Sequence, residues 1–380
     1  MGVVAGMIDK LGGQGLDLSG KLPPVAAPGV SRRYALGCPE KAAQPTYAAL
    51  DLGTNNCRLL IARPSFARFD AAQGESAFRI VDSFSRIVRL GDGLSGCGSL
   101  NEAAMERTLS ALEVCRYKMQ AHGVTRARLI ATEACRGAAN GSEFIQMVRR
   151  TTGLTLEIVD RKTEAHLAAA GCGVLADAEA EAVVLFDIGG GSSEIVWLAN
   201  DRMPPCAKTL VPRRKVSLWT SLPLGVVSLA EKFGGVDVTP QVFEAMVEHV
   251  GREMRPFARR AGAEKRCAKF HLLGTSGTVT TLAGIHLDLQ RYDRRRVDGL
   301  WMSNAEVSAA LDRLLGMSWQ QRVANGCIGH DRADLVLAGC AIFEAIRRAF
   351  PAQRVRIADR GLREGLLMQM MGADGAWGRA

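Results

Sequence analysis

The sequence predicts an α/β protein built twice over, with two halves of the same element order facing a shared cleft. Three observations predict it. Apolar positions switch repeatedly between the two-residue period of strands and the 3.6-residue spacing of helices. They do so in the order βββαβαβα, which runs once and then begins again. The hairpins that open the two runs also match: Asp51-Leu52-Gly53-Thr54-Asn55-Asn56-Cys57-Arg58 lies in register with Asp187-Ile188-Gly189-Gly190-Gly191-Ser192-Ser193-Glu194. At 380 residues the chain also exceeds one typical domain, and two is the natural expectation.

The elements follow in order. Residues 1–45, rich in Gly, Pro, Ala and Ser without a period, read as a flexible extension. "YAALDLGTNNCRLLIARP" is two apolar runs around a polar turn, hence a hairpin. A third strand is expected at "FRIVDSFSRIV". "NEAAMERTLSALEVCRYKMQAHG" has helical spacing and a Gly stop. Strand "RARLIATEA", helix "GSEFIQMVRRTTG", strand "LTLEIVD" and helix "TEAHLAAAGCGVLA" complete the first half. The second half opens with hairpin "AVVLFDIGGGSSEIVWLA" and a strand within "KTLVPRRKVSLWTSLPLG". Helix "TPQVFEAMVEHVGREMRPFARRAG", strand "KFHLLGTS" and helix "GTVTTLAGIHL" come next. Helices "SNAEVSAALDRLL" and "RADLVLAGCAIFEAIRRAF", strand "RVRIAD" and helix "RGLREGLLMQMM" close the chain. The domains are placed at 46–180 and 181–355, with a C-terminal helix in 356–380 packing back near the first.

Composition narrows the function. Net charge is +9, which favours polyanionic partners such as nucleic acid, anionic membrane or phosphate-rich substrates. Ten Cys occur without a C-x-x-C pair, and six His without metal-binding spacing. Free thiols in a reducing cytoplasm are the expected state. No apolar run is long enough to span a bilayer, and the start lacks a signal-peptide pattern. The basic stretches "PRRK", "REMRPFARRAGAEKR" and "RYDRRR" lie in the second half and barely interleave with aromatics, which argues against stacking on nucleic-acid bases. They are solvated faces or a track for a phosphate chain.

Each Asp-headed turn is built from small residues. Such a backbone can approach a ligand closely and aim successive N–H groups at an anion, with Asn and Ser side chains adding donors. The Asp would repel phosphate and suits a hard divalent cation, held through water, that shields phosphate oxygens. An ordinary hairpin turn is the plain alternative for either copy alone. Glu164 falls at a helix N-terminus after a strand, either to complement the helix dipole or to face a cleft. Arg136 is an exposed surface Arg or a bidentate anion ligand. Thr275 or Ser276 in "GTSGT" could cap a helix or touch a ligand.

Duplicated halves of this kind suggest the actin-like phosphotransferase fold, a pair of ribonuclease H-like domains with an interdomain cleft. Within it the chain resembles the exopolyphosphatase/guanosine pentaphosphate phosphohydrolase (Ppx/GppA) family in a short two-domain form. Seven motifs in family order carry the resemblance: "ALDLGTNNCRLLIA", "ATEACRGAANGSEF", "EIVDRKTEAHLA", "LFDIGGGSSEIV", "SLPLGVVSL", "LLGTSGTVTTLAGI" and "VRIADRGLREGLL". The resemblance implies a cytoplasmic, homodimeric hydrolase that removes terminal phosphate from inorganic polyphosphate or from pppGpp. It implies Glu164 as general base, and Asp187 and Glu194 as the carboxylates for Mg²⁺ (or Mn²⁺). Asp51, Gly53, Asn55, Arg58, Arg136, Gly189, Gly190, Gly191, Ser192 and Ser193 would form the phosphate site. Gly274, Thr275, Ser276 and Gly277 would form a second-domain loop. His166 stands where family members often carry Arg. A non-catalytic polyanion- or nucleotide-binding regulator and a sugar kinase are the alternatives on the same scaffold.

Overall fold

The computed structural model describes residues 44–65, 77–200, 214–262 and 269–377. The N-terminal extension, apart from residues 44 and 45, and positions 212–213 and 263–266 of the basic stretches lie outside the described residues.

Two sheets form the frame. The first has the order β3-β2-β1-β4-β5, comprising β1 (Tyr47–Leu52), β2 (Asn56–Pro64), β3 (Phe78–Ile87), β4 (Arg126–Ala131) and β5 (Glu157–Ile158). The second has the order β10-β11-β9-β6-β7-β8, comprising β6 (Ala182–Ile188), β7 (Ser193–Asn200), β8 (Arg214–Leu222), β9 (Phe270–Thr275), β10 (Trp301–Ser303) and β11 (Arg354–Ala358). In the first sheet β1–β2 and β2–β3 are antiparallel while β1–β4 and β4–β5 are parallel. In the second, β6–β7 and β7–β8 are antiparallel while β6–β9 and β9–β11 are parallel. The duplication extends to register. Asp51 pairs with Arg58 as Asp187 pairs with Glu194. Bulges fall at Ile61/Ala62 and Trp197/Leu198, ten residues beyond Asp51 and Asp187 respectively.

The burial of each strand follows its place. β1 and β6 are central and buried almost throughout, as both faces are covered. β3 lies at an edge, and much of it is exposed. The strand expected over "LTLEIVD" shrinks to Glu157–Ile158, because only these two residues pair with β4 at the sheet edge. β10 is an edge strand that the sequence did not announce; three residues are too few for a period.

Several helix N-termini carry side-chain caps. Asn101 accepts from the N–H of Ala104 at 2.8 Å, and Asp160 accepts from that of Thr163 at 2.7 Å. Ser303 and Glu306 form a reciprocal capping box. Two helices stand between the sheets. Arg161–Cys172 buries Ala165, Ala168 and Ala169 against Val183, Leu185 and Leu273 of the second sheet. The C-terminal helix Leu362–Ala373 buries Leu366, Leu367 and Met370 against Tyr47, Leu60 and Ile130 of the first. The pair cross closely enough that a Cβ on Gly171 would lie 1.9 Å from the Gly361 carbonyl oxygen. The contact sets the last turn of Arg161–Cys172 against the start of Leu362–Ala373.

Among the described residues, Cys57, Cys97, Cys115, Cys135, Cys172, Cys327 and Cys340 are free thiols. No described helix is long and apolar enough to cross a membrane.

Candidate active site

The two Asp-headed turns close in the same way. The N–H of Gly53 donates to the Asn56 carbonyl and that of Gly189 to the Ser192 carbonyl, both at 2.9 Å. The turns also touch. A Cβ on Gly190 would come within 2.9 Å of Thr54 Cβ and 3.1 Å of the Asn55 nitrogen, and one on Gly191 within 2.8 Å of Thr54 Oγ1. Only glycine permits this approach. Among the described residues, the N–H groups of Thr54, Asn55, Gly190 and Gly191 find no acceptor. Unpaired donors at the wall of a polar cavity are what a bound anion satisfies.

That cavity holds about 440 Å³. From the first turn it is lined by Asp51, Gly53, Asn55 and Arg58, and from the second by Asp187, Gly189, Gly190, Gly191, Ser192 and Glu194. Glu164 and the segment Thr275, Ser276 and Gly277 complete the predicted set within it. Three predicted residues stand behind the wall. Ser193 donates its hydroxyl to the Leu224 carbonyl at 2.9 Å and fastens the second turn. Gly274 makes room for the Phe186 ring, which a Cβ would meet at 2.5 Å. Arg136 is held by Val159 O at 2.6 Å, by Glu133 and by Glu164 at 3.2 Å. His166 faces the Lys162 carbonyl of its own helix. Ser276 does cap its helix, accepting from Thr278 N–H at 3.2 Å, and it does so at φ 132°, strained for a residue with a Cβ. It therefore fills the capping role and lines the cleft as well.

The carboxylates are the unusual feature. Glu164 is 9% exposed and Glu194 2%. Burial, then the charge of Glu194, push Glu164 up to about 9, against the pull of Arg136. Burial and Glu194 push Asp187 up to about 7, and burial likewise lifts Glu194 to about 7 although Ser221 donates to it at 2.7 Å. Asp51 is raised by burial against the attraction of Arg58. Four carboxyls crowded into one desolvated cleft hold protons until something positive replaces them.

Sequence reasoning passed over several neighbours. Glu133 lies beside Gly191 and binds Arg161 at 2.7 Å as well as Arg136. Its position three residues before Arg136 was a legible pairing signal. Arg294, Arg332, Arg363 and Glu364 also line the cleft. Of the basic stretches, "RYDRRR" reaches the cleft through Tyr292 and Arg294, yet Arg294 is taken by Glu364 at 3.1 Å and by the Asp359 carbonyl. Arg214 of "PRRK" is bound to the Asp177 and Ala180 carbonyls.

A duplicated α/β frame whose paired glycine turns meet over a carboxylate-lined cleft defines a member of the actin-like superfold. Residues 69–374 match the Ppx/GppA phosphatase family. The chain belongs to the Ppx/GppA phosphatase family. Exopolyphosphatase 2 of Mycobacterium tuberculosis is 29% identical over 336 residues, which cover 86% of this chain and 98% of that protein. Guanosine-5'-triphosphate,3'-diphosphate pyrophosphatase of Aeromonas hydrophila is 27% identical over 338 residues, covering 86% of this chain and 60% of that protein. The crystal structure of the Aquifex aeolicus Ppx/GppA family member superposes with TM-score 0.66 at 27% identity, covering 87% and 98% of the two chains. An exopolyphosphatase from Cytophaga hutchinsonii shares the fold, with TM-score 0.74 at 21% identity and coverage of 86% and 98%.

Membership implies a divalent-metal-dependent enzyme. Among the described residues no group of three or more His, Cys, Asp or Glu side chains is close enough to cage an ion. The donors nonetheless suit a hydrated hard cation. Asp187 and Glu194 are cross-strand partners, and Thr54 Oγ1, Asn55 Oδ1 and Asn56 Oδ1 are buried without a hydrogen-bond partner. Mg²⁺ characteristically keeps several waters and takes one or two protein carboxylates plus substrate phosphate.

Proposed function

We propose that the chain is an exopolyphosphatase, a phosphoanhydride hydrolase that removes the terminal phosphate of inorganic polyphosphate. One observation carries the reading: the buried Glu164 carboxyl and the unpaired N–H groups of two glycine turns line the same cavity. Asp187 and Glu194 are the residues to hold Mg²⁺ (or Mn²⁺), which when bound supplies charge neutralisation for phosphate oxygens. The turn N–H groups and Arg58 bind and orient the terminal phosphoryl group. Arg136 orients Glu164 through their hydrogen bond. Ionised Glu164 takes the proton of the attacking water as oxygen bonds to the terminal phosphorus. The bond to the bridging oxygen breaks, and the chain shortened by one phosphate leaves. Four carboxyls around a pocket for phosphate make little sense in a protein that only binds polyanions, since each would repel its ligand.

Glu164→Gln removes the proton acceptor and keeps the shape. It is expected to lower kcat on polyphosphate by about 10²–10⁴-fold with tripolyphosphate binding retained; an unchanged kcat removes Glu164 from the role. The Aeromonas relative favours a second substrate, pppGpp, for the same chemistry. Phosphate release measured in parallel from long-chain polyphosphate and from pppGpp decides between them, with faster release from polyphosphate expected.

A further inference from the structure

Each glycine turn is tied to a neighbouring segment. Segment 88–95 follows β3 of the first sheet. Within it, the N–H groups of Val88 and Arg89 donate to the Asn55 carbonyl at 2.9 and 3.0 Å, and that of Gly91 to the Thr54 carbonyl at 2.9 Å. Gly91 lies so close to the first turn that a Cβ there would sit 2.3 Å from Thr54 Cγ2. Helix Val226–Phe233 follows β8 of the second sheet and is tied to the second turn. The N–H of Val226 donates to the Gly189 carbonyl at 3.0 Å, and that of Val227 to the Gly190 carbonyl at 2.9 Å.

The two ties are also joined to each other. Arg89 forks onto Asp334, its terminal nitrogens donating to the two carboxylate oxygens at 2.9 and 3.0 Å, and it reaches the Asp331 carbonyl at 3.2 Å. Glu231 accepts from the Gly93 N–H at 3.0 Å and from the Ser95 hydroxyl. Just past the end of the Glu231 helix, a Cβ on Gly235 would lie 1.9 Å from the Asp334 carbonyl oxygen, so the two carboxylates belong to one packed unit. Arg89 holds φ 48°, a left-handed conformation that is costly for a residue with a Cβ and persists where its surroundings impose it. A half-exposed ion pair adds little to stability by itself. The strained backbone, the forked geometry and the chain of contacts from one turn to the other point to a role in setting geometry.

We propose that Arg89, Asp334 and Glu231 form a clasp that sets the two glycine turns against one another, and that Arg89 and Asp334 are positioning residues for the reaction. All three stand outside the cavity lining, while Val226 of the Glu231 helix and Leu335 beside Asp334 line it. The clasp biases the cleft toward the state in which both turns address one anion. Without it, part of the substrate's binding energy goes into closing the cleft, and apparent affinity falls with the fraction closed. Bound substrate then completes the closure, so turnover at saturation changes little. The proposal rests on reading the chain as a phosphoanhydride hydrolase.

The test is phosphate release from polyphosphate by the full chain, with Mg²⁺ present, in the parent, Arg89→Ala, Asp334→Asn and the double variant. Each single change is expected to raise KM about 10-fold, within the usual span of coupling between linked sites, with kcat within about threefold of the parent. The double variant should lose no more than the worse single one, since both break the same contact. Sign separates the clasp from simple attraction. Neutralising Asp334 and freeing Arg89 would lower KM for a polyanion if charge alone mattered. A lowered or unchanged KM for Asp334→Asn therefore overturns the clasp, as do additive losses in the double variant. Amide exchange gives a readout apart from activity. The Gly93 N–H is bound to Glu231 and not to Asp334, so Asp334→Asn should speed its exchange if the clasp opens as a unit. Unchanged exchange there overturns the clasp while the hydrolase reading stands. A parent that releases phosphate from neither polyphosphate nor pppGpp fails the hydrolase reading, and the positioning role falls with it.

Discussion

Arg136 shows how one guanidinium can be divided between two tasks. It donates to Glu164 at 3.2 Å and to Glu133, while the Val159 carbonyl at 2.6 Å fixes its plane. Glu133 is itself bound by Arg161, so Glu164 sits in a ring of charges shared by the two helices Glu133–Gly137 and Arg161–Cys172. We propose from this arrangement that Arg136 is a positioning residue; the family resemblance implies a phosphate ligand. The two roles separate in kinetics. Arg136→Lys keeps the charge and loses the fork, and is expected to lower kcat about 10- to 100-fold with KM changed by about threefold or less. A raised KM at unchanged kcat would mean that the side chain contacts phosphate instead. The local pair Glu133–Arg136 could be read from its three-residue spacing. That Arg161 enters from the helix after β5 could not, since it depends on how that edge strand delivers the chain.

At the scale of elements, the active cleft is the place where two hairpins meet. Their turns were legible because each is an Asp followed by small residues between apolar runs of strand length. Their meeting was legible only as an inference from symmetry. What the sequence hid were parts without period or local signal: the three-residue β10, and Arg363, whose charge reaches the cleft because the last helix crosses Arg161–Cys172. Contact between the turns predicts a sharp sensitivity. Gly190→Ala would set a methyl group 2.9 Å from Thr54 Cβ and 3.1 Å from the Asn55 nitrogen. The turns must then part by a few tenths of an ångström or more. The expected outcome is a loss of activity on the order of 10²-fold with a stability cost of about 1–3 kcal/mol. Parallel measurement of turnover and thermal melting checks it: activity near that of the parent would show that the two turns need not touch.

Charge in the whole molecule runs against its average. A chain of net charge +9 gathers Asp51, Glu164, Asp187 and Glu194 in one cleft, each with its acidity weakened by burial. The consequence for stability has a definite sign. These carboxyls bind protons more tightly folded than unfolded. The stability they lend is fully present below their ordinary range near pH 4. It is lost as pH rises through about 7 for Asp187 and Glu194 and about 9 for Glu164. Between pH 6.5 and 8, His271 works against this slope at the lower end of the window: lowered to about 4, it is neutral when folded, while its unfolded imidazole still holds part of a proton at pH 6.5. This opposing effect, of one group against three carboxyls, fades above about pH 7.5. The buried thiols matter only above about pH 8.5, where unfolded cysteine ionises. Metal-free protein is therefore expected to melt at lower temperature as pH rises across this window, on the order of 2 °C per pH unit. A divalent cation that binds the ionised cleft of the folded state adds stability that grows with pH. Melting curves in chelator and in millimolar Mg²⁺ at pH 6.5, 7.25 and 8 test the pair of effects. The gap between the curves should widen upward through the series. A constant gap would mean that the cation does not displace these protons, and Asp187 and Glu194 would lose their place as its ligands.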